Sequence, residues 1–126
     1  MDNYSVSDKI IISSLWFNNQ GYNVFILTKY TNYYLNKIVP VGMKIAFNLS
    51  SIKTRFIEPV NVNIECLKNK IYGNQDLIII TDCHNNLTEN ELRQIRNIGI
   101  IKQIFSYNEI LKNFDLIIKE VEYANL

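Results

Sequence analysis

The amino-acid sequence predicts a single α/β domain, three layers deep, with a mostly parallel sheet and an added N-terminal helix. Three observations carry that expectation. Residues 76–81, DLIIIT, form a short continuous apolar run bounded by polar residues, the pattern of a strand covered on both faces. Strand signals then alternate with helix-start signals through the second half, as a parallel sheet with helical crossovers requires. Finally, 126 residues with no repeat, charge block or low-complexity linker suit one domain spanning 1–126.

Taken in order, Ser5 is placed to cap a first helix running to about Asn19, with Asp8 three residues on and Gly21 beyond the far end as a stop. Ile11, Ile12, Leu15 and Trp16 fall largely on one side of it, as a core-facing stripe. Residues 22–28, YNVFILT, read as a strand, because β-branched and aromatic side chains suit a pleated, buried surface. The Tyr-rich stretch 29–40, KYTNYYLNKIVP, has no settled state, and Pro40 limits any helix there to the residues before it. Residues 43–49, MKIAFNL, read as a second strand and 50–59, SSIKTRFIEP, as a connection or an edge hairpin.

After the strand at 76–81, Thr88 and Glu91 make an S/T-x-x-E capping box, flanked by Leu87 and Leu92 as a hydrophobic staple. Gly99 ends that helix, residues 100–105, IIKQIF, make another strand, and Ser106 with Glu109 repeats the capping box. Ile110, Leu111, Phe114, Ile117, Ile118 and Val121 then keep helical period almost to the end.

Composition excludes some functions. The formal net charge is +1 and charged residues make up 20%, so no global field draws the chain to nucleic acid or an anionic membrane, and a nucleic-acid partner is not expected. Asn and Ile together make up roughly a third of the chain, which reads as the codon usage of an AT-rich genome. The start, MDNYSVSDKIIISSLWF, lacks a basic head and its apolar run is broken by Ser13 and Ser14, so neither a signal peptide nor a span is expected and the cytoplasm is the expected location. Cys66 and Cys83 form no CxxC pair and are expected as thiols.

Chemistry concentrates in residues 77–92, LIIITDCHNNLTENEL, where the chain's single histidine, His84, stands beside Cys83 and Asp82 after an apolar strand. Open α/β sheets hold ligands at the carboxyl ends of strands, so Asp82, Cys83, His84 and Asn85 are candidate ligand-binding residues by location. Catalysis asks for more: a Cys nucleophile needs a base within hydrogen-bond reach, and side chains adjacent in an extended turn diverge. No catalytic residue is assigned. One histidine and two separated cysteines offer no metal spacing, and no cofactor is expected.

From residue 43 onward, MKIAFNLSSIKTRFIEPVNVNIECLKNKIYGNQDLIIITDCHNNLTENELRQIRNIGIIKQIFSYNEIL looks like the later part of a Rossmann-like domain. It is similar to the nucleotide-sugar or CoA-binding-like domains of bacterial surface-polysaccharide proteins. The resemblance implies a KIAFNL-type strand whose end meets a ribose, a connection ending in a PV-type strand, a short helix at IECLKN, and a site at Thr28, Asn48 and residues 82–85 for a nucleotide-like ligand. The departures are specific. Residues 24–37, VFILTKYTNYYLNK, stand where the family has a Gly-rich phosphate loop, with no glycine and three tyrosines. Asn48 stands in place of the acidic ribose partner. Tyr30, Tyr33 and Tyr34 are candidates to stack on a base or on a protein partner.

A weaker resemblance, carried by GYNVFIL and VNVNIECLKN, is to the restriction-endonuclease-like fold, with Glu65 and Lys68 as its candidates. Their E-x-x-K spacing, in place of E-x-K, would put them on opposite faces of a strand, so only a degenerate nucleic-acid-binding relative would be implied. Residues 63–70 discriminate: Asn63 caps a short helix in the first reading, and the same residues are a central strand in the second. The helix is preferred, because a parallel neighbour for DLIIIT needs a crossover. The expected function is therefore a non-catalytic binding or regulatory domain for a small ligand or protein partner, with an immunity or antitoxin-type interaction factor as the alternative. The oligomeric state is left open.

Overall fold

The computed structural model describes residues 4–45, 55–71, 76–82, 87–98 and 101–124. Its elements are α1 (Val6–Asn19), β1 (Asn23–Leu27), α2 (Thr31–Lys44), β2 (Ile57–Val60), α3 (Ile64–Lys70), β3 (Leu77–Thr81), α4 (Glu89–Arg96), β4 (Ile101–Phe105) and α5 (Tyr107–Ala124). Among the described residues four strands pair in the order β2-β1-β3-β4, and every pairing is parallel. The domain is thus three-layer α/β of the Rossmann-like kind.

The strand sequences explain the layers. All five residues of β1 and of β3 are buried, as expected of the apolar runs 24–27 and 77–80 that form most of each strand. Val24, Ile26, Ile78 and Ile80 point into one core, shared with α1, α2 and α5. Phe25, Leu27, Leu77 and Ile79 point into the other, shared with Leu67 of α3 and Ile95 of α4. Alternation along each strand therefore serves two cores at once.

The capping signals form as read. Ser5 and Asp8 close a capping box at the start of α1, Thr88 and Glu91 at α4, and Ser106 and Glu109 at α5. Asn63 caps α3, its Oδ1 accepting from the N–H groups of Glu65 (2.9 Å) and Cys66 (3.1 Å). Past the end of α1, Gly21 takes φ 110°. Its N–H donates to Asn18 O at 3.2 Å and that of Tyr22 to Phe17 O at 3.1 Å, the two bonds of a Schellman motif.

Three expectations are corrected. Helix α1 is not buried along one stripe: Ile10, Ile11, Ile12, Ser13, Ser14 and Leu15 are all fully enclosed, because α1 lies between α2, α5 and the sheet. Pro40 does not end the Tyr-rich helix, since α2 runs through it to Lys44. An interior proline removes one helical hydrogen bond and costs roughly 3 kcal/mol; burial of Tyr34, Ile38 and Val41 offsets it while Pro40 itself faces solvent. Consequently Met43 and Lys44 are helical and do not begin a strand; residues 46–49 of that expected strand lie outside the described residues. Of the two readings of 50–59, a connection or an edge hairpin, the part within the described residues fits the connection: it leads into β2, an edge strand parallel to β1, where Pro59 is tolerated. Asn18 and Asn23 fasten it: Asn18 Nδ2 donates to Phe56 O (3.1 Å) and Phe56 N–H to Asn23 Oδ1 (2.9 Å). Gly99, expected as a helix stop, lies outside the described residues, and α4 ends at Arg96. Among the described residues no helix is long and apolar enough to cross a membrane.

Candidate functional site

The strand order fixes where a site can form. From β1 the chain passes through α2, on one face, to β2; it then returns through α3, on the other face, to β3 on the far side of β1. Helices α2 and α4, which follow the neighbouring strands β1 and β3, pack on opposite faces of the sheet, the arrangement in which open α/β sheets hold ligands at the strands' carboxyl ends.

Thr28 follows β1 and Asp82 follows β3. Thr28 is fully buried; its N–H donates to Val60 O at 2.9 Å and its Oγ1 accepts from Tyr30 N–H at 3.0 Å, so it shapes the turn into α2. Asp82 is 3% exposed, and its N–H extends the β1–β3 ladder to Leu27 O at 3.0 Å.

A cavity of about 270 Å³ lies here, lined by Ser5, Val6 and Ser7 from the start of α1, Tyr30, Tyr33 and Tyr34 from the start of α2, and Asp82. Because α1 packs on β1 and returns along it, its N-terminus comes to the carboxyl end of the sheet. The rings of Tyr33 and Tyr34 meet edge to face, centroids 5.7 Å apart. Ser7 Oγ lies 3.1 Å from Tyr33 OH and 3.1 Å from Ser5 Oγ, a hydroxyl chain tying the two helix starts together. Tyr34 is buried whereas Tyr30 and Tyr33 are about half exposed, so the wall runs from core to surface. Asp82 is the single charged group among the described residues that line the cavity.

The structure thus joins two groups of residues that the sequence kept apart. Asp82, a ligand candidate, and Tyr30, Tyr33 and Tyr34, partner candidates, wall one cavity, while Thr28 stands behind it as support. Asn48, Cys83, His84 and Asn85 lie outside the described residues. Sequence reasoning missed Ser5 and Ser7, because Ser5 was fully accounted for as a cap; the available signal was that a helix preceding β1 and packed antiparallel to it brings its first turn to this end. Glu65 and Lys68 are exposed on helix α3, where Lys68 Nζ donates to Gln94 Oε1 at 2.8 Å, and neither reaches the crevice. No group of three or more His, Cys, Asp or Glu that could hold a metal ion occurs among the described residues.

Two further hollows, of about 300 and 360 Å³, lie against β4, one between Tyr22 and Lys102 and one between Phe105 and α5, both sharing Trp16, Phe17 and Gln103. Among the described residues neither has an acidic or basic group paired with a nucleophile. Comparison of the chain with protein-family models, curated proteins and solved structures finds no match.

Proposed function

We propose that the protein is a non-catalytic binding module that holds a small ligand in the crevice between the carboxyl ends of β1 and β3. The observation that carries the reading is the cavity walled by the starts of α1 and α2 together with Asp82. These segments are far apart in sequence and converge where doubly wound sheets bind ligands. Among the described residues the lining offers hydroxyls, rings and one carboxylate, a set suited to holding a molecule and not to attacking it. The test is native mass spectrometry of the gently purified chain beside its denatured mass, repeated with Tyr33→Ala. A small retained mass on the wild type that falls away in the variant is the expected result; bare chain in both would count against the reading.

A second reading, a protein-interaction factor, is supported by a different feature. Leu35, Val39 and Met43 are spaced four residues apart along α2 and are each more than half exposed, next to exposed Tyr30 and Tyr33. It predicts that Leu35→Ser with Val39→Ser leaves retention of a small molecule unchanged while removing a co-purifying protein.

A further inference from the structure

Helix α2 carries a face that the domain itself does not use. Leu35 is 60% exposed, Val39 52% and Met43 70%, and the three stand four residues apart, so they form one ridge along the helix. Asn32, Asn36 and Pro40 flank this ridge and are exposed as well. The inner face of the same helix, with Tyr34, Ile38 and Val41, is buried in the domain. On α5, by contrast, the exposed Leu116 and Tyr123 stand singly, beside Asp115 and Glu122.

Charge narrows what can cover the ridge. Residues 31–44 include no Asp or Glu. The two lysines of α2 are engaged elsewhere: the Lys37 ammonium stands 5.7 Å from the Tyr33 ring centroid, and that of Lys44 lies 3.9 Å from Asp8 Oδ2 and 5.2 Å from the Tyr4 ring centroid. The ridge is therefore neutral, so an oppositely charged partner finds nothing to read and an identical copy meets no like charge. Apolar, charge-poor surfaces of this kind are the composition of homodimer interfaces. The order of side chains suits a twofold axis. Val39 is four residues from Leu35 and four from Met43, so turning a second α2 end for end about Val39 sets each Leu35 against a Met43 and valine against valine. The short side chain then falls where two crossing helices come closest, and the long ones where they diverge. With its flanking residues the ridge exposes on the order of 600 Å² per copy, so a pair would bury about 1,200 Å², the lower edge of the range for specific interfaces.

We infer that α2 pairs with α2 of a second copy of this chain, the two helices crossing at Val39 with Leu35 of each against Met43 of the other. The inference rests on the interaction reading given above and names the partner. An interface of this size forms a dimer that dissociates on dilution.

The full chain is studied by sedimentation equilibrium from roughly 1 to 500 μM, beside Val39→Glu, Leu35→Glu, Met43→Lys and an equal mixture of the last two. The expected wild-type mass rises with concentration toward twice that of the chain. Each single variant should associate at least about tenfold more weakly, and the mixture should recover, because the carboxylate introduced in one chain meets the ammonium introduced in the other. Recovery requires position 35 to face position 43 across the pair, which mere loss of stability does not supply. All three positions are more than half exposed, so the variants should fold, as circular dichroism checks. A dimer that persists in Val39→Glu, or folded Leu35→Glu and Met43→Lys chains that stay monomeric when mixed, would overturn the α2 pairing. A wild type that is monomeric throughout would overturn the second copy. If that monomer carries a different protein, lost in Leu35→Ser with Val39→Ser, the interaction reading stands with another partner; if it carries none, both fall.

Discussion

Helices α2 and α4 follow the two central strands, β1 and β3, yet they are held in opposite ways. Helix α4 closes its own first turn through Thr88 and Glu91, places Arg93 and Arg96 in its last turn and buries one apolar side chain, Ile95. Helix α2 has no capping side chain, carries Pro40 in its interior and buries Tyr34, Ile38, Val41 and Gly42. The first is a helix by local sequence and a light passenger on the second core. The second is a helix because the sheet and α1 give its inner face somewhere to go. The crevice lies against the helix of the second kind, whose first turn is completed by surroundings and not by its own cap.

That contrast can be broken or sharpened by substitution. The largest effect is expected from Ile38→Ala, which removes buried contacts at the middle of α2 and should lower stability by about 2–4 kcal/mol in urea unfolding. A loss under about 1 kcal/mol would mean that α2 does not depend on packing. Next comes Pro40→Ala, on the solvent side of the same helix; restoring a backbone donor and relieving the ring's clash should raise stability by about 1–3 kcal/mol. A fall in the denaturation midpoint would show that the proline serves the helix's path. The smallest belongs to Thr88→Ala, expected to cost about 1 kcal/mol by opening the α4 cap, with the Tyr33 and Tyr34 ring signals unmoved.

The buried serines of α1 show why some of this was unreadable from sequence. Ser13 and Ser14 interrupt an apolar run and are not part of the core-facing stripe that the sequence indicates, Ile11, Ile12, Leu15 and Trp16. In the structure both are fully enclosed, Ser14 Oγ donating to Ile10 O at 2.8 Å. A hydroxyl that bonds to its own helix can enter a core, but whether it does depends on neighbours, here α2 and α5. The extension of α2 through Pro40 and the parallel course of β2 have the same origin. Each is locally disfavoured or undetermined, and each is decided by surfaces that come from elsewhere in the chain. By contrast, every capping box, the Gly21 stop and both central strands were legible, because a cap or a continuous apolar run is satisfied within a few residues.

The candidate site divides along the same line. Asp82 was legible as a strand-end carboxylate and Tyr30, Tyr33 and Tyr34 as an aromatic cluster, since both are features of short segments. That they share a cavity with Ser5 and Ser7 was not, because no periodicity links residue 5 to residue 33 or residue 82. The sequence by itself determined an α/β domain, its capped helices and its two-faced central strands, all set by interactions that close over a turn of helix or the width of a strand. Only the tertiary structure decided that α1 is enclosed, that α2 continues through its proline and that three distant segments wall one crevice. Those outcomes depend on burial against partners remote in the chain, and burial is a property of the assembled domain.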